Sequence, residues 1–117
     1  MELTGVLIST TARGFDAMRR FYCDRLGLTA RSDRHGFVNF DFGHCRLTIA
    51  VHDGLRDETS ADPLRIMVNL RVADIDEAVA KCVPDTVIRW PETEKWGGKV
   101  ATVTDPDGNI VQFLQME

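Results

Sequence analysis

No apolar run in the 117 residues approaches the ~20 that a membrane-spanning helix needs. Residues 1–10 have neither the basic start nor the long apolar stretch of an export signal, so no export is expected. Cysteine is sparse. Cys23, Cys45 and Cys82 are far apart and odd in number, which excludes a CxxC pair, a zinc-finger spacing and a disulfide framework. Three reduced thiols suit the cytoplasm. An excess of positive charge is also missing. Against 14 Lys and Arg stand 18 Asp and Glu, a net charge of -4, which argues against nucleic acid or an anionic membrane as partner. GxSxG, a phosphate loop, HExxH and a dinucleotide fingerprint are all absent. What remains is ordinary: 44% hydrophobic and 27% charged residues exclude disorder, collagen and coiled coil, and the length suits one domain.

Read along the chain, Leu3 to Thr10 form a short β-branched strand. Phe15, Met18, Tyr22 and Leu26 then fall on one helical stripe, which predicts a helix from Phe15 to Leu26 capped by Gly27. Leu28 to Ser32 is extended, and Asp33-Arg34-His35-Gly36 reads as a hairpin turn. Residues 37–42 alternate from Val38 onward, and Arg46 to His52 alternate with Leu47, Ile49 and Val51 on one face. Residues 53–63 are polar, bear Gly and Pro, and read as a linker. The order then repeats. Leu64 to Val72 is a strand, and Asp74 with Glu77 three residues on forms a capping box for a helix that Pro84 ends. Thr86 to Trp90 is extended, Lys99 to Thr104 is a strand, Asp105 to Asn109 is a tight turn, and Ile110 to Gln115 is the last strand. Each half is thus βαβββ, unit one about 1–52 and unit two about 64–117. The expected fold is α+β: two βαβββ units forming a cupped mixed sheet with helices on the outer face.

Three segments carry a family likeness. Arg20-Phe21-Tyr22-Cys23-Asp24-Arg25-Leu26-Gly27-Leu28, Trp96-Gly97-Gly98 and Asp105-Pro106-Asp107-Gly108-Asn109-Ile110-Val111-Gln112-Phe113 resemble the "FYxDxLGL", "WG" and "DPDGNxxEL" segments of the vicinal oxygen chelate superfamily. That superfamily includes glyoxalase I, extradiol dioxygenases, fosfomycin-resistance enzymes and bleomycin-binding proteins. The resemblance implies a glyoxalase/bleomycin-resistance-like domain over 1–117, and a homodimer. The fold alone does not choose among lyases, dioxygenases, transferases and pure binders.

Metal-using members of the superfamily place His, Gln or Glu near the middle of the first strand and on the last strand of each unit. Carried over residue by residue, those positions fall among Gly5 to Ile8, on Thr48, on Met67 and on Gln112. Only Gln112 keeps a donor of the usual kind, so no metal and no cofactor are expected. His44 and His52 are about 26 Å apart on an ideal strand and cannot share an ion. His35 lies in a turn.

Period-two alternation sends Arg46, Thr48, Ala50 and His52 to one face, Met67, Asn69 and Arg71 to the matching face, and Gln112 with them. Trp96, beside two glycines, reads as a loop residue able to cover an opening. Thr48, His52, Met67, Asn69, Arg71, Trp96 and Gln112 are therefore the candidate ligand-binding residues. Amides, one or two arginines and aromatic edges over an apolar floor suit a small, partly apolar or aromatic molecule. The expectation is metal-independent binding of the sequestration or resistance type. Two other readings stay open: a metal-dependent lyase, isomerase or ring-cleaving dioxygenase, and a structural or regulatory partner module.

Overall fold

The computed structural model describes residues 1–117. The chain divides into two compact units, Met1–Glu58 and Thr59–Glu117, with the division inside the polar stretch 53–63. Each unit carries a four-stranded mixed sheet and one short α-helix, which is the α+β, twice-βαβββ arrangement. No helix is long and apolar enough to cross a membrane.

In the first unit the strands are β1 (Gly5–Thr10), β2 (Ser32–Arg34), β3 (Phe37–Asp41) and β4 (Arg46–Val51), in the order β1-β4-β3-β2. β1 runs parallel to β4, and the other pairs are antiparallel. β1 starts two residues later than its pattern suggests, at Gly5, which pairs with the first residue of β4. The hairpin turn is also tighter than expected: Asp33 and Arg34 already pair in β2, leaving His35 and Gly36 (φ 77°) to reverse the chain.

α1 (Phe15–Arg20) is shorter than the stripe implies, because the chain widens into one π-helical turn over Phe21–Arg25. The Leu26 amide there donates to the Phe21 carbonyl, five residues back, at 3.0 Å. The extra residue turns two consecutive aromatics inward, Phe21 and Tyr22, which meet edge to face at 4.9 Å. Gly27 ends the turn at φ 72°, and the next amide, of Leu28, reaches the Tyr22 carbonyl at 3.1 Å. Met18, Tyr22, Val38, Phe40 and Ile49 are fully buried or nearly so, and α1 lies against β4. One face of this sheet is therefore the helix face, and the other carries no helix.

The second unit contains β5 (Met67–Arg71), α2 (Ile75–Ala80), β6 (Val87–Thr93), β7 (Lys99–Thr104) and β8 (Ile110–Gln115), in the order β5-β8-β7-β6. β5 lacks the predicted Leu64–Ile66 because its partner β8 begins at Ile110, opposite Met67. Residues before Met67 have no ladder to join. β6 runs past the expected end at Trp90, through Pro91 to Thr93, so Glu92 lies in a strand. An edge strand tolerates proline, and two register shifts along β6 absorb it. Asp74 caps α2 as predicted: its carboxylate accepts from the Glu77 amide at 3.2 Å. α2 packs on β6, β7 and β8 through Ile75 and Val79.

Candidate functional site

Register decides which side chains share the helix-free face. In the first unit, Thr48 stands between Leu7 on β1 and Asn39 on β3, and Asn39 stands beside Ser32 on β2. One row of side chains therefore crosses the sheet: Leu7, Thr48, Asn39, Ser32. The next row holds Gly5, Arg46 and Asp41. A cavity of about 470 Å³ opens here, lined among others by Leu7, Asn39, His44, Cys45, Arg46 and Thr48.

Asn39 is the most buried polar residue of this lining, at 7% exposure. Its Oδ1 accepts from the Ser32 amide at 3.0 Å, and its Nδ2 donates to nothing. The Thr48 hydroxyl is likewise without a hydrogen bond. Arg46 and Arg31 share a single acid: their Nε atoms lie 3.9 and 3.7 Å from Asp41 Oδ2. No Asp or Glu lines the cavity.

In the second unit the corresponding row is Asn69, Gln112, Thr102 and Arg89. The residue opposite Gln112 is Asn69, while Met67 stands two pairs away, opposite Ile110. Arg71 is exposed opposite Leu114. Arg89 is held by Glu94 at 2.6 Å and Glu92 at 3.5 Å, which raises its pKa further above its ordinary value.

The remaining predicted residues behave differently. The His52 ring is turned into its own loop, where Nδ1 accepts from the Gly54 amide at 2.9 Å. Trp96 sits at the tip of the β6–β7 turn, which is closed by Glu94 N to Gly98 O at 2.8 Å and Gly97 N to Glu94 O at 3.0 Å. A Cβ on Gly98 would stand 1.8 Å from the Trp96 ring, so the half-exposed indole lies folded down on that glycine. It is held by its turn rather than loose. Of the candidates, then, Thr48 lines the described cavity, and Asn69 and Gln112 meet in the second unit. Asn39 and Arg46 complete the first-unit lining. Arg46 was legible from alternation, but the pairing of Asn39 with Thr48 was not, because register depends on the turn at residues 42–45.

The positions where superfamily metal ligands would fall do not fit a divalent ion. Leu7 stands beside Thr48, Met67 beside Ile110, and Gln112 beside Asn69. Aliphatic chains, one thioether, one neutral hydroxyl and neutral amides supply no carboxylate, imidazole or thiolate. Nowhere in the chain do three His, Cys, Asp or Glu side chains gather around a point. Cys23 is not an activated nucleophile either, since burial pushes its thiol above the ordinary value despite the nearby Arg19.

Residues 8–113 match the family model of the Glyoxalase/Bleomycin resistance protein/Dioxygenase superfamily. A bleomycin resistance protein of Klebsiella pneumoniae is 31% identical over 117 aligned positions, covering 91% of this chain and 87% of that protein. Among solved structures, a protein of unknown function from Agrobacterium tumefaciens str. C58 superposes with a TM-score of 0.79 at 23% identity, covering 100% of this chain and 95% of the other. A glyoxalase/bleomycin resistance protein/dioxygenase family enzyme from Burkholderia phytofirmans PsJN gives 0.78 at 18% identity, with 100% of both chains covered. At these identities the structural likenesses establish the fold.

Proposed function

The chain belongs to the glyoxalase/bleomycin resistance protein/dioxygenase superfamily, and from that premise we propose that it binds a small, partly apolar or aromatic molecule without a metal ion, sequestering it in the cytoplasm as a homodimer. The observation that carries this reading is the first-unit cavity. Its volume of about 470 Å³ falls within the ~300–1,000 Å³ usual for small-molecule sites. Its lining pairs the Leu7 side chain with a few uncommitted polar groups, which is the composition that orients an apolar guest. The neutral donors at Thr48, Asn69 and Gln112 support binding by hydrogen bonds rather than by chelation. Asn69, Arg71 and Met67 offer a second polar and apolar strip on the exposed face of β5.

The metal-dependent lyase, isomerase or dioxygenase would need ligands that neither strand pair provides. The sequence likeness to a bleomycin resistance protein makes metal-free bleomycin the first large guest to try, beside a panel of small aromatic compounds. Thermal denaturation reads the outcome, because a guest present at about 100 times its dissociation constant adds roughly 2.7 kcal/mol. The reading expects at least one panel member to raise the melting midpoint by several degrees. It also expects zinc, nickel, manganese and ferrous ions to leave that midpoint where it was. Elemental analysis of protein purified without chelator, if it returned near-stoichiometric metal, would overturn the metal-free account.

A further inference from the structure

We propose that the first-unit cavity selects a carboxylate-bearing guest, with the carboxylate between Asn39, Thr48 and Arg46 and the apolar body against Leu7. The assignment rests on the small-molecule reading above and narrows it to one chemical class.

The argument begins with Asn39. An amide can turn either its oxygen or its nitrogen toward a guest, and here the choice is made by the fold. The Ser32 amide holds Oδ1 at 3.0 Å, so Nδ2 is the end left over. That nitrogen belongs to a side chain more than nine-tenths buried, lines the cavity and has no acceptor within the protein. The nitrogen itself is open to the cavity, since the Thr10 hydroxyl is the one buried side-chain polar atom left without a partner, so an acceptor on the guest can reach it. Thr48, the cross-strand neighbour of Asn39, presents a hydroxyl with no partner in the same row.

Charge supplies the second part. Asp41, in the row beside Arg46, is divided between Arg31 and Arg46 at 3.7 and 3.9 Å, and one of its oxygens also accepts from the Gly43 amide at 2.8 Å. Two guanidinium groups against one carboxylate leave a local positive surplus, although the whole chain carries -4. The lining contains Arg46 and His44 and no acid. A free amide donor, a hydroxyl that can donate, a surplus cation and no competing carboxylate in the lining describe a receptor for an acceptor-only anion. A planar carboxylate matches the guanidinium fork. Leu7, 59% exposed on the same row, offers the apolar wall beside it.

Calorimetric titration of the full chain tests this with two matched series: benzoate, phenylacetate and 3-phenylpropionate against their primary amides. At least one carboxylate should bind ten-fold or more tightly than its amide. Asn39→Asp keeps the oxygen that accepts from Ser32 and replaces the free donor with an acceptor. It should weaken the carboxylate at least ten-fold while sparing the amide. Arg46→Gln alters an exposed side chain, so it keeps the test decisive if the Asn39 variant fails to fold, and it should also weaken the carboxylate ten-fold. Amides binding as tightly as carboxylates would overturn the assignment and leave the small-molecule reading intact. So would an Arg46→Gln variant with unchanged carboxylate affinity, or phenyl phosphate binding more tightly than any carboxylate. Silence from both series, with bleomycin also inert, would remove the small-molecule reading itself.

Discussion

The Thr10 hydroxyl lies at the end of β1 in a wholly buried position and has no hydrogen-bond partner. Alternation puts it on the helix face, where its neighbours are apolar. Valine has nearly the same shape without the polar atom. Thr10→Val should therefore raise stability by about 1 kcal/mol, read as a higher urea midpoint at unchanged slope; an unchanged or lower midpoint would show that the hydroxyl is satisfied. Arg19 and Asp33 make the opposite case, a pair whose worth depends on pH. Arg19 on α1 donates to Asp33 on β2, with Nε at 3.0 Å from Oδ1 and a second contact from Nη2 to Oδ2. That hydrogen bond holds the Asp33 carboxyl below its ordinary value. A depressed carboxyl pKa contributes stability above the unfolded value and loses it as pH falls through the folded one. Wild type should thus exceed Asp33→Asn by a small margin at pH 7, and the margin should shrink as pH falls below about 4, the ordinary aspartate value, and close below the folded one. Urea midpoints at pH 7 and pH 3 check this, and a margin undiminished at pH 3 would assign it to something other than the ion pair. Neither feature was readable in the sequence, because a threonine in a β-branched strand and an arginine fourteen positions from an aspartate give no local signal.

Element by element, strands whose hydrophobic residues alternate were legible and their ends were not. β4 and β8 fall where their patterns put them, since Leu47 and Ile49, and Val111 and Phe113, must all point into a core. β5 and β6 departed because a strand's extent is set by its partner: β8 is too short to receive Leu64–Ile66, and the outer edge of β6 has room for Pro91. The site divides in the same way. Thr48 was assigned to the helix-free face from its own strand, whereas Asn39 became a site residue only through the register between β3 and β4. Gly5 shows what register demands at β1. A Cβ there would stand 2.6 Å from the Arg46 carbonyl oxygen, a backbone atom that moves only if β1 parts from β4. In sequence this glycine simply weakens a strand; in the structure it permits a close backbone approach at the cavity wall. Gly5→Ala should destabilise the protein by about 1–3 kcal/mol, as overpacking does. It should also weaken any guest bound beside Arg46. A melting midpoint equal to wild type would mean that β1 can shift without loss.

For the whole molecule, the twofold repeat of βαβββ was visible because turn chemistry and strand alternation recur at the same spacing in both halves. A homodimer was implied by the resemblance alone, and the surface that would form it was not visible, since it depends on faces that only folding creates. Both sheets begin on an edge strand, β1 in one and β5 in the other. The segments entering and forming those strands keep large apolar side chains exposed in the complete chain: Leu3 71%, Leu7 59%, Leu64 72%, Ile66 74% and Met67 42%. An edge of unpaired backbone flanked by apolar side chains is a template for association unless something covers it. A second copy supplies the same two edges and so can satisfy both at once, giving a closed pair. Light scattering should then return close to twice the 13.1 kDa chain mass. Leu64 and Ile66 lie outside any strand and are exposed, so Leu64→Lys with Ile66→Lys places charge on the contact without disturbing a core. The double variant should keep the wild-type far-ultraviolet circular dichroism and run as a single chain. A wild type that stays at 13.1 kDa in concentrated solution, or a double variant that still pairs, would place the self-association elsewhere or nowhere. The cavity by Asn39 and Thr48 would then have to work within one chain.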